Sequence, residues 1–112
     1  MQFKTGHSGQ AFVVCCLYER IDAANAPEFR MAMRDVTAGS RGPVILDLSQ
    51  VDFIDSSGLG AIVAAMKDLS PDRRLELAAP TSNVARVLSL TRMDMVFTIH
   101  PAAPDLDATN AA

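Results

Sequence analysis

Two short runs open the chain, Gln2 to His7 and Ala11 to Tyr18, and the polar Ser8-Gly9-Gln10 between them carries a turn-forming glycine. The second run is rich in residues that favour strands, so the pair predicts an antiparallel hairpin. The period then changes. Ala26, Phe29, Met33 and Val36 recur at helical spacing with Glu28, Arg30, Arg34 and Asp35 off the stripe, which predicts a helix over residues 26–38. Asn25 is placed to cap its start, Pro27 suits the first turn, and Gly39 is placed to end it in the left-handed conformation.

Val44 to Leu48 is almost wholly apolar, the mark of a strand covered on both faces near the centre of a parallel sheet. After a loop from Gln50 to Asp55, a second helix begins at Ser56 and Ser57, and Leu59, Ile62, Val63, Met66 and Leu69 fall on one face of it. Ala61, Ala64 and Ala65 lie mostly elsewhere. A turn at Pro71 to Arg73 precedes a strand through Arg74 to Ala79. Thr81 or Ser82 then caps a third helix with Val84, Val87, Leu88 and Thr91 inward, and Val96 to Ile99 forms a last strand. The order predicts an α/β domain: a mixed, mostly parallel sheet with an N-terminal antiparallel hairpin and helices packed on it. It occupies residues 1–100, and residues 101–112, small, polar and punctuated by proline, read as a flexible C-terminal tail.

Composition narrows the function. A chain of 112 residues, 49% hydrophobic, builds one core. Ten basic and 13 acidic side chains give a formal charge of −3 without a Lys/Arg run, so nucleic acid is not an expected partner. Apolar stretches of about eight residues fall short of the ~20 a membrane helix needs. The first ten residues lack the pattern of a secretory signal, so the expected location is the cytoplasm. Cys15 and Cys16 are neighbours pointing to opposite strand faces and are expected as two reduced thiols. Catalysis is not expected. Ser56 and Ser57 have no evident histidine base, since His7 and His100 lack an orienting partner, and Ile54 stands where a nucleophile elbow needs glycine. No phosphate-cradling glycine loop is present, and no metal or other cofactor is implied.

The informative stretch is Val44 to Met66. A helix start presents unpaired N–H groups and partial positive charge, so a hydroxyl at Ser56 or Ser57 can cap it and an anion there is stabilised. Gly58 and Gly60 keep that first turn free of bulk. Here the sequence resembles the STAS-domain family, in an apolar strand ending at Asp47-Leu48-Ser49 followed by Val51-Asp52-Phe53-Ile54-Asp55-Ser56-Ser57-Gly58-Leu59-Gly60. Weaker agreement covers residues 10–99, through Arg20-Ile21-Asp22 with Asn25-Ala26 and through Pro80 with Val84 to Leu90. The chain departs from the family at Glu19 and at Arg92, where glycine is usual.

The resemblance implies an anti-sigma factor antagonist that works by partner switching. In its unphosphorylated form such a protein binds a serine-kinase anti-sigma factor of the ATPase-fold type. Phosphorylation by that kinase, here at Ser56, ends binding, and a PP2C-type phosphatase reverses it. Asp22 and Asp55 match family aspartates that help present the serine. The expected partner-binding surface comprises Asp22, Asp55, Ser57, Gly58, Leu59, Gly60 and the small residues Ala61 and Ala64. The alternative is a STAS scaffold that is never phosphorylated, or a subunit of a larger regulatory or lipid-transport assembly.

Overall fold

The computed structural model describes residues 2–107. Strand β1 (Phe3–Ser8) pairs antiparallel with β2 (Ala11–Cys16), and Gly9 makes the turn at φ 58°, a left-handed angle that glycine adopts without strain. A two-residue strand β3 (Arg20–Ile21) leads to helix α1 (Ala26–Thr37). Strand β4 (Val44–Asp47) runs beside β2, and a second two-residue strand, β5 (Phe53–Ile54), precedes helix α2 (Ser56–Leu69). The chain closes with β6 (Leu75–Ala78), α3 (Ser82–Leu90), a 3-10 turn (Met93–Met95) and β7 (Ile99–His100). The main sheet has the order β1-β2-β4-β6-β7, parallel except for the opening hairpin, while β3 and β5 form a separate parallel pair. The predicted architecture is therefore the observed one.

One face of the sheet holds the core. Phe12, Val14 and Cys16 of β2, Val44 and Leu46 of β4 and Leu75 and Leu77 of β6 meet residues from all three helices. Among these Phe29, Met33, Ile62, Val84 and Leu88 are all but inaccessible. On the opposite face Val13, Ile45 and Ala78 form a smaller buried cluster. The chain after β7 returns across this face to the β1 edge. The N–H of Asp107 donates to the His7 carbonyl at 2.7 Å, and Leu106 sits over Gly6, which shares a face with its cross-strand partner Val13. From the β7 edge to the β1 edge is four strand spacings, about 19 Å, within the ~23 Å that seven extended residues reach. The tail expected from residue 101 thus lies as a strap on the sheet as far as Asp107; its last five residues fall outside the described ones.

Several local expectations change. Asn25 does not cap α1 with its side chain, which is used elsewhere, and Gly39 is not left-handed. The helix end is held instead by Arg73, which donates to the carbonyls of Thr37 (2.9 Å) and Gly42 (2.7 Å) and to the Ser40 hydroxyl (2.9 Å). In α2 the large residues Leu59, Val63, Met66 and Leu69 are only partly covered, while Ala61 and Ala65 are buried. Small residues let α2 and α1 approach closely, while the large face packs on the core as expected, with Ile62 fully buried. Thr91 faces solvent and donates its hydroxyl to the Val87 carbonyl. The expected last strand begins later: Val96 is exposed, Phe97 is buried as a plug, and β7 pairs only at Ile99 and His100.

Candidate functional site

The β3–β5 pair builds the site. Arg20 lies beside Phe53 and Ile21 beside Ile54 in parallel register, so Asp22 and Asp55 are the next residues of two strands that end side by side. Asp55 is the N-cap of α2. One of its oxygens accepts the Gly58 N–H at 2.8 Å and the other accepts the Ala23 N–H at 3.2 Å, so a single carboxylate fastens the helix start to the loop after β3. The Gly58 bond, more than any other cause, holds the Asp55 carboxyl below the usual carboxylate range; partial desolvation opposes the shift and the Ala23 bond adds to it.

Asp22 closes the neighbouring loop. It accepts the Ala24 N–H at 3.1 Å and the Arg20 Nε–H at 3.1 Å. Asn25 locks the same turn, accepting from the Asp22 N–H at 2.9 Å and donating to the Arg20 carbonyl at 2.8 Å. Arg20 in turn lies 4.2 Å above the half-exposed ring of Phe53, a cation–π contact on the surface. Arg20 and Phe53 fall within the motifs read from the sequence, but neither they nor Ala23 were among the expected site residues. Ala23 acts through its backbone and leaves no signal, whereas an aromatic next to the Asp-Ser-Ser-Gly stretch was a legible one.

Ser56 and Ser57 are both exposed on the first turn of α2. Neither is the cap, because Asp55 has that role, so their hydroxyls are spared from closing the helix. Gly58 is buried, and a β-carbon on it would collide with the Ile21 carbonyl oxygen. Its lack of a side chain serves the packing of α2 on β3. Gly60 is exposed with open space around its α-carbon, Leu59 and Ala64 are half-buried, and Ala61, expected as an exposed small residue, is 7% exposed.

The other titratable candidates belong to the main sheet. His100 Nε2 meets the Glu76 carboxylate at 2.7 Å, and His7 packs edge-on against Phe12. Burial, followed by the nearby Asp47 carboxylate, pushes the Cys15 thiol up to about 11, and burial raises Cys16 as well. Neither thiol forms a disulfide.

Residues 6–106 match the model of the family described as the STAS domain. An anti-sigma-B factor antagonist of Listeria monocytogenes is 30% identical over 93 residues, 81% of this chain and 81% of its own length. A Thermotoga maritima relative is 41% identical over 58 residues, so this chain spans about half (51%) of that protein. The fold superposes on the crystal structure of an anti-sigma factor antagonist from Mycobacterium paratuberculosis with a TM-score of 0.77 and 27% identity, covering 90% of this chain and 86% of the other. No helix among the described residues is long and apolar enough to cross a membrane.

Proposed function

The chain belongs to the STAS-domain family, and from that premise we propose that it is an anti-sigma factor antagonist whose switch is Ser56. Unphosphorylated, it binds a serine-kinase anti-sigma factor of the ATPase-fold type in the cytoplasm and frees that kinase's captive target. The kinase then phosphorylates Ser56 and lets go, and a PP2C-type phosphatase restores the binding form. Asp22, Asp55 and the first two turns of α2 make up the contact.

The observation that carries this reading is the division of labour at the helix start. Asp55 supplies the cap and Gly58 the close packing, which leaves the Ser56 hydroxyl exposed and structurally unused. Phosphorylation adds about −1.5 to −2 charge beside Asp55, at a position where N–H groups of the first turn welcome an anion. The cost therefore falls on the complex, where a bulky dianion would face the kinase and its nucleotide phosphates. A hundredfold loss of affinity requires only ~2.7 kcal/mol.

The test is phosphorylation by any ATPase-fold serine kinase encoded near the gene, read by intact mass and peptide mapping. One phosphoryl group on the peptide carrying Ser56, absent from Ser56→Ala with Ser57 intact, is the expected result. A blank, or modification elsewhere, would leave the never-phosphorylated scaffold as the better reading.

A further inference from the structure

Between α1 and α2, with Ser57 at its end, runs an open groove of about 480 Å³. Its floor is made of small residues, Ala26, Gly60, Ala61 and Ala64, because the two helices pack through alanine. Pro27 and the exposed Met31 form the wall on the α1 side, an unbranched and adaptable side chain of the sort that lines binding grooves. The volume falls in the range of ligand-binding clefts, and the absence of long side chains on the floor leaves depth for an aliphatic group.

The charges lining the groove have one sign. Two arginines border it and no carboxylate does. Arg30 is already satisfied, with Nε and Nη2 bonded to the two oxygens of Asp68 at 3.0 and 2.9 Å, which also ties α1 to α2. Arg34 is exposed and makes no ion pair among the described residues, although it feels the charge of Asp68. Along the paired β3 and β5 that lead to Ser56 the charge reverses, with Glu19, Asp22, Asp52 and Asp55 outnumbering Arg20, which pairs with Asp22. The surface around the switch is thus two-signed, acidic along the strand ends and basic along the groove.

We propose that this groove receives, from the kinase partner, a segment bearing an aliphatic side chain next to a carboxylate, with the aliphatic group on the alanine floor and the carboxylate on Arg34. The inference rests on the proposed function and adds to it the partner's chemistry and orientation: an acidic, apolar element of the kinase over α1 and α2, and a basic element over Asp22 and Asp55. Opposed charges on the two flanks of Ser56 allow one docking orientation and penalise its reverse.

Two measurements on the full chain test it. Calorimetry with the kinase should show Arg34→Glu binding about tenfold more weakly, with Arg34→Lys close to wild type and the melting temperature of both unchanged. In a methyl NMR titration without the kinase, hexanoate should shift the Met31, Ala61 and Ala64 signals saturably, hexylammonium should not, and Arg34→Gln should abolish the response. If Arg34→Glu binds the kinase normally while Ser56→Asp does not, the groove is wrong and the switch stands. If the kinase binds neither wild type nor variants, the proposed function and the kinase as occupant fall together, whatever hexanoate does. Equal shifts with both probes, or none, overturn the groove chemistry on their own.

Discussion

Gly58 lies so close to Ile21 that a β-carbon added to it would sit 2.7 Å from the Ile21 carbonyl carbon and overlap its oxygen. The obstacle is backbone on a paired strand, which cannot swing aside as the end of a side chain can. Gly58→Ala should therefore cost about 1–3 kcal/mol and displace the start of α2 from β3. Gly60, two residues further along α2, meets nothing within 4 Å, and Gly60→Ala should gain up to ~1 kcal/mol from helix propensity. Urea unfolding of the two variants checks the contrast; equal stabilities would mean that the contact with Ile21 does not constrain the helix.

The bond from the Ala23 N–H to Asp55 couples the two loops of the site, and acid should uncouple them. Because the folded-state pKa of Asp55 is depressed, its contribution to stability is present above the ordinary value of 3.8 and is lost as pH falls through the lower folded value. Asp55→Ala should be less stable than wild type at neutral pH, and that gap should close only below about pH 3.8. Melting curves of both proteins from pH 7 to pH 2.5 measure it. A gap that is already closed at pH 5 would show that the carboxylate does not hold the two loops.

On the far face of the sheet, the strap predicts a dependence on Leu106. Leu106 is 40% exposed and covers Gly6, with Asp107 clasping β1 through the His7 carbonyl and the Gly9 N–H. Leu106→Ala should lose about 1 kcal/mol, less than a fully buried leucine would. A chain ending at His100 should lose more, because Val13, Ile45 and Ala78 would then face water, and it should bind a hydrophobic dye that the full chain excludes. Unchanged stability and dye binding on truncation would show that residues 101–107 cover nothing.

Much of this fold was legible because its signals are local. The hairpin, the apolar run of β4 and the stripe of α1 each carry their own period, and the alternation of strand and helix dictates the sheet. What was hidden depends on packing. β3 and β5 are two residues each, too short for any period, and yet their pairing is what aligns Asp22 with Asp55. Ala61 and Ala65 read as the outer face of α2 because hydrophobic size points elsewhere; only the approach of α1 buries them. The two places where family glycines are replaced diverge in an instructive way. Arg92 does adopt the left-handed angles, φ 63° and ψ 18°, that glycine would supply, on an exposed turn where the strain is tolerable. Glu19 does not, and its carbonyl accepts the N–H groups of Asp52 and Phe53, binding β3 to β5.

The last prediction separates the switch from the scaffold that carries it. If Ser56 is structurally idle, replacing it should leave folding intact whichever way the charge goes. Ser56→Ala removes a solvent-exposed hydroxyl with no capping role, so its melting temperature should match that of wild type within a degree or two. Ser56→Asp places a negative charge on the first turn, where the helix dipole favours it by about 0.3–1 kcal/mol. The nearby Asp55 carboxylate opposes part of that gain, and the net shift in stability should be close to zero. Binding should respond quite differently. Ser56→Asp should lose the kinase about a hundredfold or more, while Ser56→Ala should bind as wild type does and persist in the complex when ATP is added. Calorimetry and melting curves on the same preparations are enough to decide. Should Ser56→Asp fail to bind only because its fold is loosened, the charge is acting on the helix rather than on the interface, and the electrostatic switch at this residue is wrong.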